Sequence, residues 1–209
     1  MFADLNTSLL VQQFATIFAV IDPVGTVPVF LAVTASIEAG RRKAVALRAV
    51  VIAALVLLGF LVAGQPVLTA IGVNLTSFQI AGGIVLFLFA LTMIFGPSKQ
   101  DAEIAQVPKT DVEHAVYPLA IPSIASPGAM LAVVVLTDND VYPVGAQVIT
   151  AGITLLVLSI TLVLLLAAIR IQKIIGPAGA SIISRVMGLI LAAIAVDNVI
   201  DAIIIRFAL

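Results

Sequence analysis

The first long apolar run of the sequence, at about residues 8–33, is interrupted by the segment Asp22-Pro23-Val24-Gly25-Thr26-Val27-Pro28. The run is long enough to cross a bilayer, since a spanning helix needs about 20 apolar residues. Within a lipid-facing helix, however, each proline removes a backbone donor and clashes with the preceding turn. The freed backbone groups are tolerated only where protein or a water-filled cavity satisfies them. The segment therefore predicts a broken helix that lines a polar site, and its carboxylate is a functional candidate by default.

Composition extends this prediction to the whole chain. Hydrophobic residues make up 62% of the 209 residues and charged residues only 10%, against about 45–50% and about 25% in soluble domains. We therefore predict a polytopic integral membrane protein, and this length allows about six spans. We place the spans at about residues 8–33, 45–65, 76–96, 115–136, 144–169 and 181–205.

Several functional classes are disfavoured. A net charge of −1 gives no reason to expect a nucleic acid as partner. The chain has no cysteine and one histidine, which argues against thiol redox chemistry and against thiolate or multi-histidine metal sites. No phosphate-binding loop is visible, so ATP coupling is not expected. We expect no enzyme activity, cofactor or metal, and the N-terminus lacks the basic region of a cleavable signal peptide.

The basic residues predict the orientation in the membrane. Nine of them lie in or beside the first, third and fifth connections, and only Arg206 lies on the other side. The nine are Arg41, Arg42, Lys43, Arg48, Lys99, Lys109, Arg170, Lys173 and Arg185. Because cytoplasmic connections carry the excess of lysine and arginine, we expect both termini on the outer side of the membrane. The third connection, 97–114, is then a cytoplasmic loop of mixed charge, with His114 as a surface residue.

The two halves of the sequence resemble each other weakly. Span four carries Pro118, Pro122, Pro127 and Gly128, too many helix breakers for a simple rod. An offset of 104 residues places Pro23 on Pro127 and Asp22 on Ser126, and an offset of 105 places Gly83 on Gly188. Chance similarity between apolar helices is the alternative explanation.

If the repeat is real, each half has three spans, and the halves lie in the membrane with opposite orientation. We therefore predict an all-α integral membrane protein with one transmembrane domain, 1–209. Repeat A covers about 8–96 and repeat B about 115–207. The interrupted helices one and four are expected to meet near the midplane, which is the best sequence indication of a transporter's substrate site.

Such a meeting point suits a zwitterion. Unwound carbonyls can hold an ammonium group, and half-helix N-termini can hold a carboxylate. The alternatives are that Asp22 only caps the half-helix that begins at Pro23 and that the glycines only pack helices together. The predicted substrate-binding residues are Asp22, Pro23, Gly25, Thr26, Pro28, Gln79, Gly82, Gly83, Pro122, Ser123, Ser126, Pro127 and Gly128.

Further acidic residues lie near the outer ends of spans four and six. Asp197 and Asp201 are spaced i, i+4 and share one helix face. Asp197 either pairs with a polar group such as Gln79, belongs to a proton path, or has no functional role. The coupling-ion candidates are Asp22, Asp197 and Asn198. For Asp138 and Asp140, which follow span four, a tight turn is favoured over a cation site because ligands are few.

Four ordered motifs cover essentially the whole chain. They are Ile21-Asp22-Pro23-Val24-Gly25-Thr26-Val27-Pro28-Val29-Phe30, Phe78-Gln79-Ile80-Ala81-Gly82-Gly83-Ile84-Val85-Leu86, Pro118-Leu119-Ala120-Ile121-Pro122 with Ser126-Pro127-Gly128-Ala129, and Arg185-Val186-Met187-Gly188-Leu189-Ile190-Leu191. With these motifs the chain resembles the MarC family of bacterial and archaeal inner-membrane proteins. The resemblance implies six spans, a place in the LysE-like transporter group, and proton-coupled transport of small neutral amino acids such as glycine and alanine. The pair Asp197-Asn198 is more polar than the family pattern leads us to expect.

The expected partners are a small neutral amino acid, a coupling ion and the lipid bilayer, with a homo-oligomer as an open alternative. An ion channel, or an exporter of another small solute or ion, is the alternative function. A structural or regulatory membrane protein is a further alternative, although a buried carboxylate among helix breakers would then have no evident purpose.

Overall fold

The computed structural model describes residues 7–35, 37–95 and 115–207, and this part of the chain contains helices and short connections but no strand. The predicted loop 97–114, with His114, and the N-terminal residues 1–6 lie outside the described residues. The helices are α1 (Thr7–Ile21), α2 (Pro23–Val33), α3 (Ala39–Ala70), α4 (Leu75–Phe95), α5 (Ala115–Ile124), α6 (Pro127–Val135), α7 (Val144–Leu166) and α8 (Ala168–Phe207).

The helices are long and apolar enough for a multi-pass membrane protein. Five stretches meet the requirement: Thr7–Val33, Gly40–Ala70, Leu75–Phe95, Val144–Leu166 and Ser181–Phe207. Helices α5 and α6, which meet at a bend of 53°, form a sixth if the pair is one span. The prediction of an all-helical membrane protein is confirmed, with five or six candidate spans. The inverted relation of the two halves stays a prediction.

The fourth predicted span is interrupted, as its prolines indicate. Helix α5 has wide turns and contains non-helical backbone at Tyr117 and Ile121. Each of these residues precedes a proline across a cis peptide bond. Ala125 N donates to Ala120 O at 2.8 Å, and the next helix begins at Pro127.

Two predicted boundaries are wrong. Span two was placed at 45–65, ending at Pro66, but α3 continues through Pro66 to Ala70. A proline removes only one helical hydrogen bond, and membrane helices tolerate that loss where neighbouring groups compensate. Span five ends at Leu166 rather than 169, and the segment predicted as a connection before span six is the beginning of α8. The break there is confined to Gly176, whose φ of 65° and ψ of 171° suit glycine.

Helices α4 and α8 form the most extensive contact between elements, and glycine makes it possible. A Cβ at Gly83 would lie 2.6 Å from Val199 Cγ2, and one at Gly188 would lie 2.9 Å from Met93 Cβ. Gly83 thus faces the late part of α8 while Gly188 faces the late part of α4, so the two helices run antiparallel. The glycine faces of the third and sixth predicted spans therefore pack within one chain.

A polar turn after α6 is bound to the last part of α3. Gln65 Nε2 donates to Asp138 Oδ1 at 2.9 Å, and Asn139 N donates to Gln65 Oε1 at 2.6 Å. Within the turn, Tyr142 N donates to Asp138 O at 2.8 Å. The preference for a turn at this acidic segment is confirmed, and among the described residues no group of three or more histidine, cysteine or acidic side chains could hold a metal ion.

Candidate functional site

The two interrupted helices meet at a buried cluster that we call the junction: Val20, Asp22, Gly25, Thr26, Ser123 and Ser126. Asp22 separates α1 from α2 in a left-handed conformation, with φ of 50° and ψ of 64°. Its Oδ1 accepts a hydrogen bond of 3.0 Å from Gly25 N, so the carboxylate caps α2. A Cβ at Gly25 would lie 2.0 Å from Asp22 Oδ2, so glycine is the residue that leaves room for the carboxylate.

Ser126 performs the same task for α6. Its Oγ accepts from Ala129 N at 3.1 Å, and Pro127 follows as the first helical residue, as Pro23 does in α2. The Oγ also donates to Val20 O at 2.9 Å, which satisfies a carbonyl near the end of α1. The offset of 104 residues thus relates two caps that hold equivalent half-helix starts, and Ser126 also bonds to α1 of the other half.

Hydroxyl groups complete the junction. Thr26 Oγ1 donates to Asp22 O at 3.0 Å, and Ser123 Oγ donates to Thr26 Oγ1 at 3.3 Å. Asp22, Thr26, Ser123 and Ser126 are each no more than 1% exposed. The junction therefore gathers one carboxylate, three hydroxyls and two half-helix N-termini, groups that can exchange a proton or bind a small polar solute if the helices separate.

A larger space, the polar cavity, lies at the end of the bundle that carries the turn after α6. It has a volume of about 700 Å³ and lies among α1, α4, α6, α8 and the turn. Its polar lining residues are Gln12, Gln13, Thr16, Gln79, Asp138, Tyr142, Asp197, Asn198 and Asp201. The described lining residues include three carboxylates and no lysine, arginine or histidine. The cavity can therefore attract a cationic group.

The polar cavity and the junction are close along the same helices. Thr16 and Ala132 line the cavity, and they lie six residues from Asp22 and Ser126 respectively. At 1.5 Å per helical residue, each separation is about 9 Å along the helix axis. The cavity and the junction are therefore about two helical turns apart along α1 and along α6.

Most of the predicted site residues lie at one of these two places. Asp22, Gly25, Thr26, Ser123 and Ser126 belong to the junction, with Pro23 and Pro127 beside their caps, whereas Gln79, Asp197 and Asn198 line the polar cavity. Pro28 lies inside α2 and Pro122 inside α5, and both are half-buried.

Three predicted glycines face neighbouring side chains. A Cβ at Gly82 would lie 2.6 Å from Leu131 Cδ1, and one at Gly128 would lie 2.2 Å from Leu86 Cδ1. Gly83 faces Val199, as described above. These positions allow close packing of α4 against α6 and α8, and their role in substrate binding stays a prediction.

Sequence reasoning missed part of the cavity lining. The sequence pattern places Gln12, Gln13 and Thr16 in the first apolar span and assigns them no site, whereas in the structure all three line the polar cavity. The sequence does contain an indication of this polar lining, because Gln12 and Thr16 are spaced i, i+4 and therefore lie on one face of the helix. Tyr142 and Asp138 carry no such signal, since only the folded turn brings them to the cavity.

Comparison with known proteins places this geometry in a wider context. A family model described as MarC family integral membrane protein matches residues 7–207. A UPF0056 membrane protein of Methanocaldococcus jannaschii is 36% identical over 202 residues, which cover 95% of this chain and 98% of the relative. One from Archaeoglobus fulgidus is 35% identical over 198 residues, covering 93% and 92% of the two chains. The UPF0056 inner membrane protein YhgN of Escherichia coli is 32% identical over 194 residues, covering 93% and 95%. No solved structure matches the chain.

Proposed function

This chain belongs to the MarC family of integral membrane proteins, and from that premise we propose that it is a secondary transporter of small neutral amino acids such as glycine and alanine. The observation that carries the proposal is the polar cavity of about 700 Å³, which approaches a junction of two interrupted helices. Solute sites occupy clefts of about 300–1,000 Å³ with a few convergent polar groups. Interrupted helices are where transporters place their substrate and coupling ion.

In the proposed mechanism, the solute enters the polar cavity and then reaches the junction. The half-helix N-terminus at Pro127, which is capped by the neutral Ser126, favours its carboxylate. Asp22, whose carboxylate already occupies the N-terminus of α2, takes the ammonium group or the coupling proton. Release on the other side requires the far end of the bundle to open. There, Arg185 Nη1 donates to Ile94 O and ties α8 to the end of α4, so this contact must break in the opposite-facing state.

The proposed setting is a cytoplasmic membrane with both termini outside. The polar cavity is lined by Leu9 near the beginning of α1 and by Ile205 near the end of α8, so both ends of the described chain lie on the cavity side. The positive-inside rule assigns that side to the exterior. The relative YhgN is an inner membrane protein by name.

The decisive experiment replaces Asp22 with asparagine. Asn caps helices as well as Asp does and tolerates the left-handed conformation, so Asp22→Asn keeps the bond from Gly25 N and removes the charge. We expect the variant to fold normally and to lose most of the uptake of labelled glycine and alanine that a pH gradient drives in proteoliposomes, because an amide neither carries a coupling proton nor attracts an ammonium group as a carboxylate does.

The matched control is Asp140→Asn, because Asp140 is exposed in the turn and lies outside both the junction and the polar cavity. Gradient-dependent uptake at the wild-type rate in Asp22→Asn would refute the coupling role. Ionic current across the same membranes without any amino acid would favour the channel alternative. Counterflow of another solute, but not of glycine or alanine, would show that the substrate belongs to a different class.

A further inference from the structure

We propose that the polar cavity contains a binding site for primary ammonium groups, formed by Asp197 and Asp201 of α8 and by Gln79 of α4. All three residues line the cavity. The site would recognise the ammonium group of a solute and not its carboxylate. The proposal concerns equilibrium binding and does not require that the protein transports amino acids.

The first observation is the charge of the lining. Asp197, Asp201 and Asp138 all line the cavity, and its described lining includes no lysine, arginine or histidine. Asp197 and Asp201 are spaced i, i+4, so their side chains start about 5–6 Å apart on one face of α8. Both side chains are exposed at the cavity. Like charges at this spacing repel each other mildly, and a cation between them relieves that repulsion.

The second observation is independent of the acidic residues. Gln79 is 8% exposed, yet its amide makes no hydrogen bond to any part of the chain that the structure describes. Its side chain lines the polar cavity and also the neighbouring recess beside Asn74 and Asp140. No side-chain atom of Gln79 is both sealed from solvent and without a partner. The amide of Gln79 is therefore open to the cavity, where it is free to bind a ligand or water.

The chemistry of the three groups fits an ammonium ion better than a metal ion. An –NH₃⁺ group has three donors and no acceptor. The two carboxylates and the Gln79 carbonyl oxygen are three acceptor groups, one for each donor of the ammonium group. A chelated metal needs a tighter set of ligands, and no such acidic or histidine group occurs in the described ranges 7–35, 37–95 and 115–207.

Binding to purified protein in detergent, measured by calorimetry, tests the proposal with three probes. Glycinamide keeps the ammonium group and has no carboxylate, glycine has both groups, and acetate has only the carboxylate. We expect glycinamide to bind at least as tightly as glycine, and acetate not to bind. Raising the salt concentration should weaken the binding of glycinamide, because mobile ions screen the carboxylates.

Variants then assign the site. Asp197→Asn and Asp201→Asn should each weaken glycinamide binding at least about tenfold, as expected for loss of a charged hydrogen-bond partner. Gln79→Leu should weaken it without any change in charge. The control is Glu38→Gln, which removes an exposed carboxylate outside the cavity lining and should leave binding unchanged. If one aspartate variant fails to fold, the other variant and the salt dependence still decide.

Three results would overturn the proposal: no binding of glycinamide to the wild-type protein, equal binding to the wild type and both aspartate variants, or displacement of glycinamide by calcium or magnesium at lower concentration than by other amines. All three results are measurements of binding and require no transport. The transport proposal is tested separately, by the proteoliposome assay of Asp22→Asn.

Discussion

Asp22 and Ser126 perform the same structural task with different chemistry. Both cap a half-helix that begins with proline, and both accept a hydrogen bond from the amide three residues later. Ser126 does so without a charge and with an extended backbone, whereas Asp22 brings a carboxylate and a left-handed conformation. The left-handed backbone at position 22 favours aspartate or asparagine over serine, and asparagine would cap the helix equally well without a charge. Capping therefore does not require the charge, which is consistent with the proposed role of Asp22 in coupling.

Ser126 is the residue that joins the two interruptions, so its removal should destabilise the fold. Ser126→Ala loses the acceptor for Ala129 N and the donor to Val20 O, both in buried surroundings. We expect a loss of about 1–3 kcal/mol in the free energy of unfolding. The measurement is denaturant or thermal unfolding of the purified protein in detergent.

Ser159→Ala is the matched control for this substitution. Ser159 is exposed on α7, and its Oγ donates only to Leu155 O of the same helix. Its replacement should change stability by no more than about 0.5 kcal/mol. If Ser126→Ala and Ser159→Ala had the same free energy of unfolding, the bond from Ser126 to Val20 would make no measurable contribution to stability.

At the scale of elements, the antiparallel pair α4 and α8 depends on two glycines. An alanine at Gly83 would place its Cβ 3.1 Å from Ala195 O, and one at Gly188 would place it 3.1 Å from Ala90 O. Because these neighbours are backbone atoms, the helices themselves must move apart. We expect Gly83→Ala and Gly188→Ala each to lower stability by about 1–3 kcal/mol, measured as above.

Gly152→Ala provides the comparison, since a Cβ there has no atom within 4 Å. This substitution in the interior of α7 should be neutral or stabilise by about 0.5–1 kcal/mol, because alanine has the better helix propensity. If all three alanine substitutions lowered the free energy of unfolding equally, the effect would come from a property of each single helix and not from the packing of α4 on α8.

These elements also show what the sequence could and could not predict. Asp22 and the prolines at 23 and 127 predicted the breaks, because each lies in a segment with several helix breakers close together, which does not suit a lipid-facing helix. Pro66 misled the prediction, since a single proline near a helix end interrupts one hydrogen bond and the helix continues to Ala70. The polar cavity was only partly foreseen, because Gln79 and Asp197 come together through the packing of α4 on α8, which depends on side-chain shape and not on hydropathy.

The whole molecule has two chemically different ends. The end with the polar cavity carries Asp138, Asp140 and Asp201. The opposite end of the bundle is where α3 begins, close to the basic run at 41–43. A protein with this charge distribution should insert with its basic end in the cytoplasm, since the excess of lysine and arginine sets the orientation. The polar cavity would then face the exterior.

The natural absence of cysteine makes this orientation directly testable. Gly145 lies at the beginning of α7, on the cavity side, and Gly40 lies at the beginning of α3, on the basic side. Both glycines are exposed, and a Cβ added at either one has no atom within 4 Å. Gly145→Cys and Gly40→Cys therefore form a matched pair that leaves every charge in place. We expect a membrane-impermeant maleimide to label Gly145→Cys in intact cells, and Gly40→Cys only after permeabilisation. The reverse pattern would invert the orientation without changing the fold, and labelling of both in intact cells would contradict their placement on opposite sides.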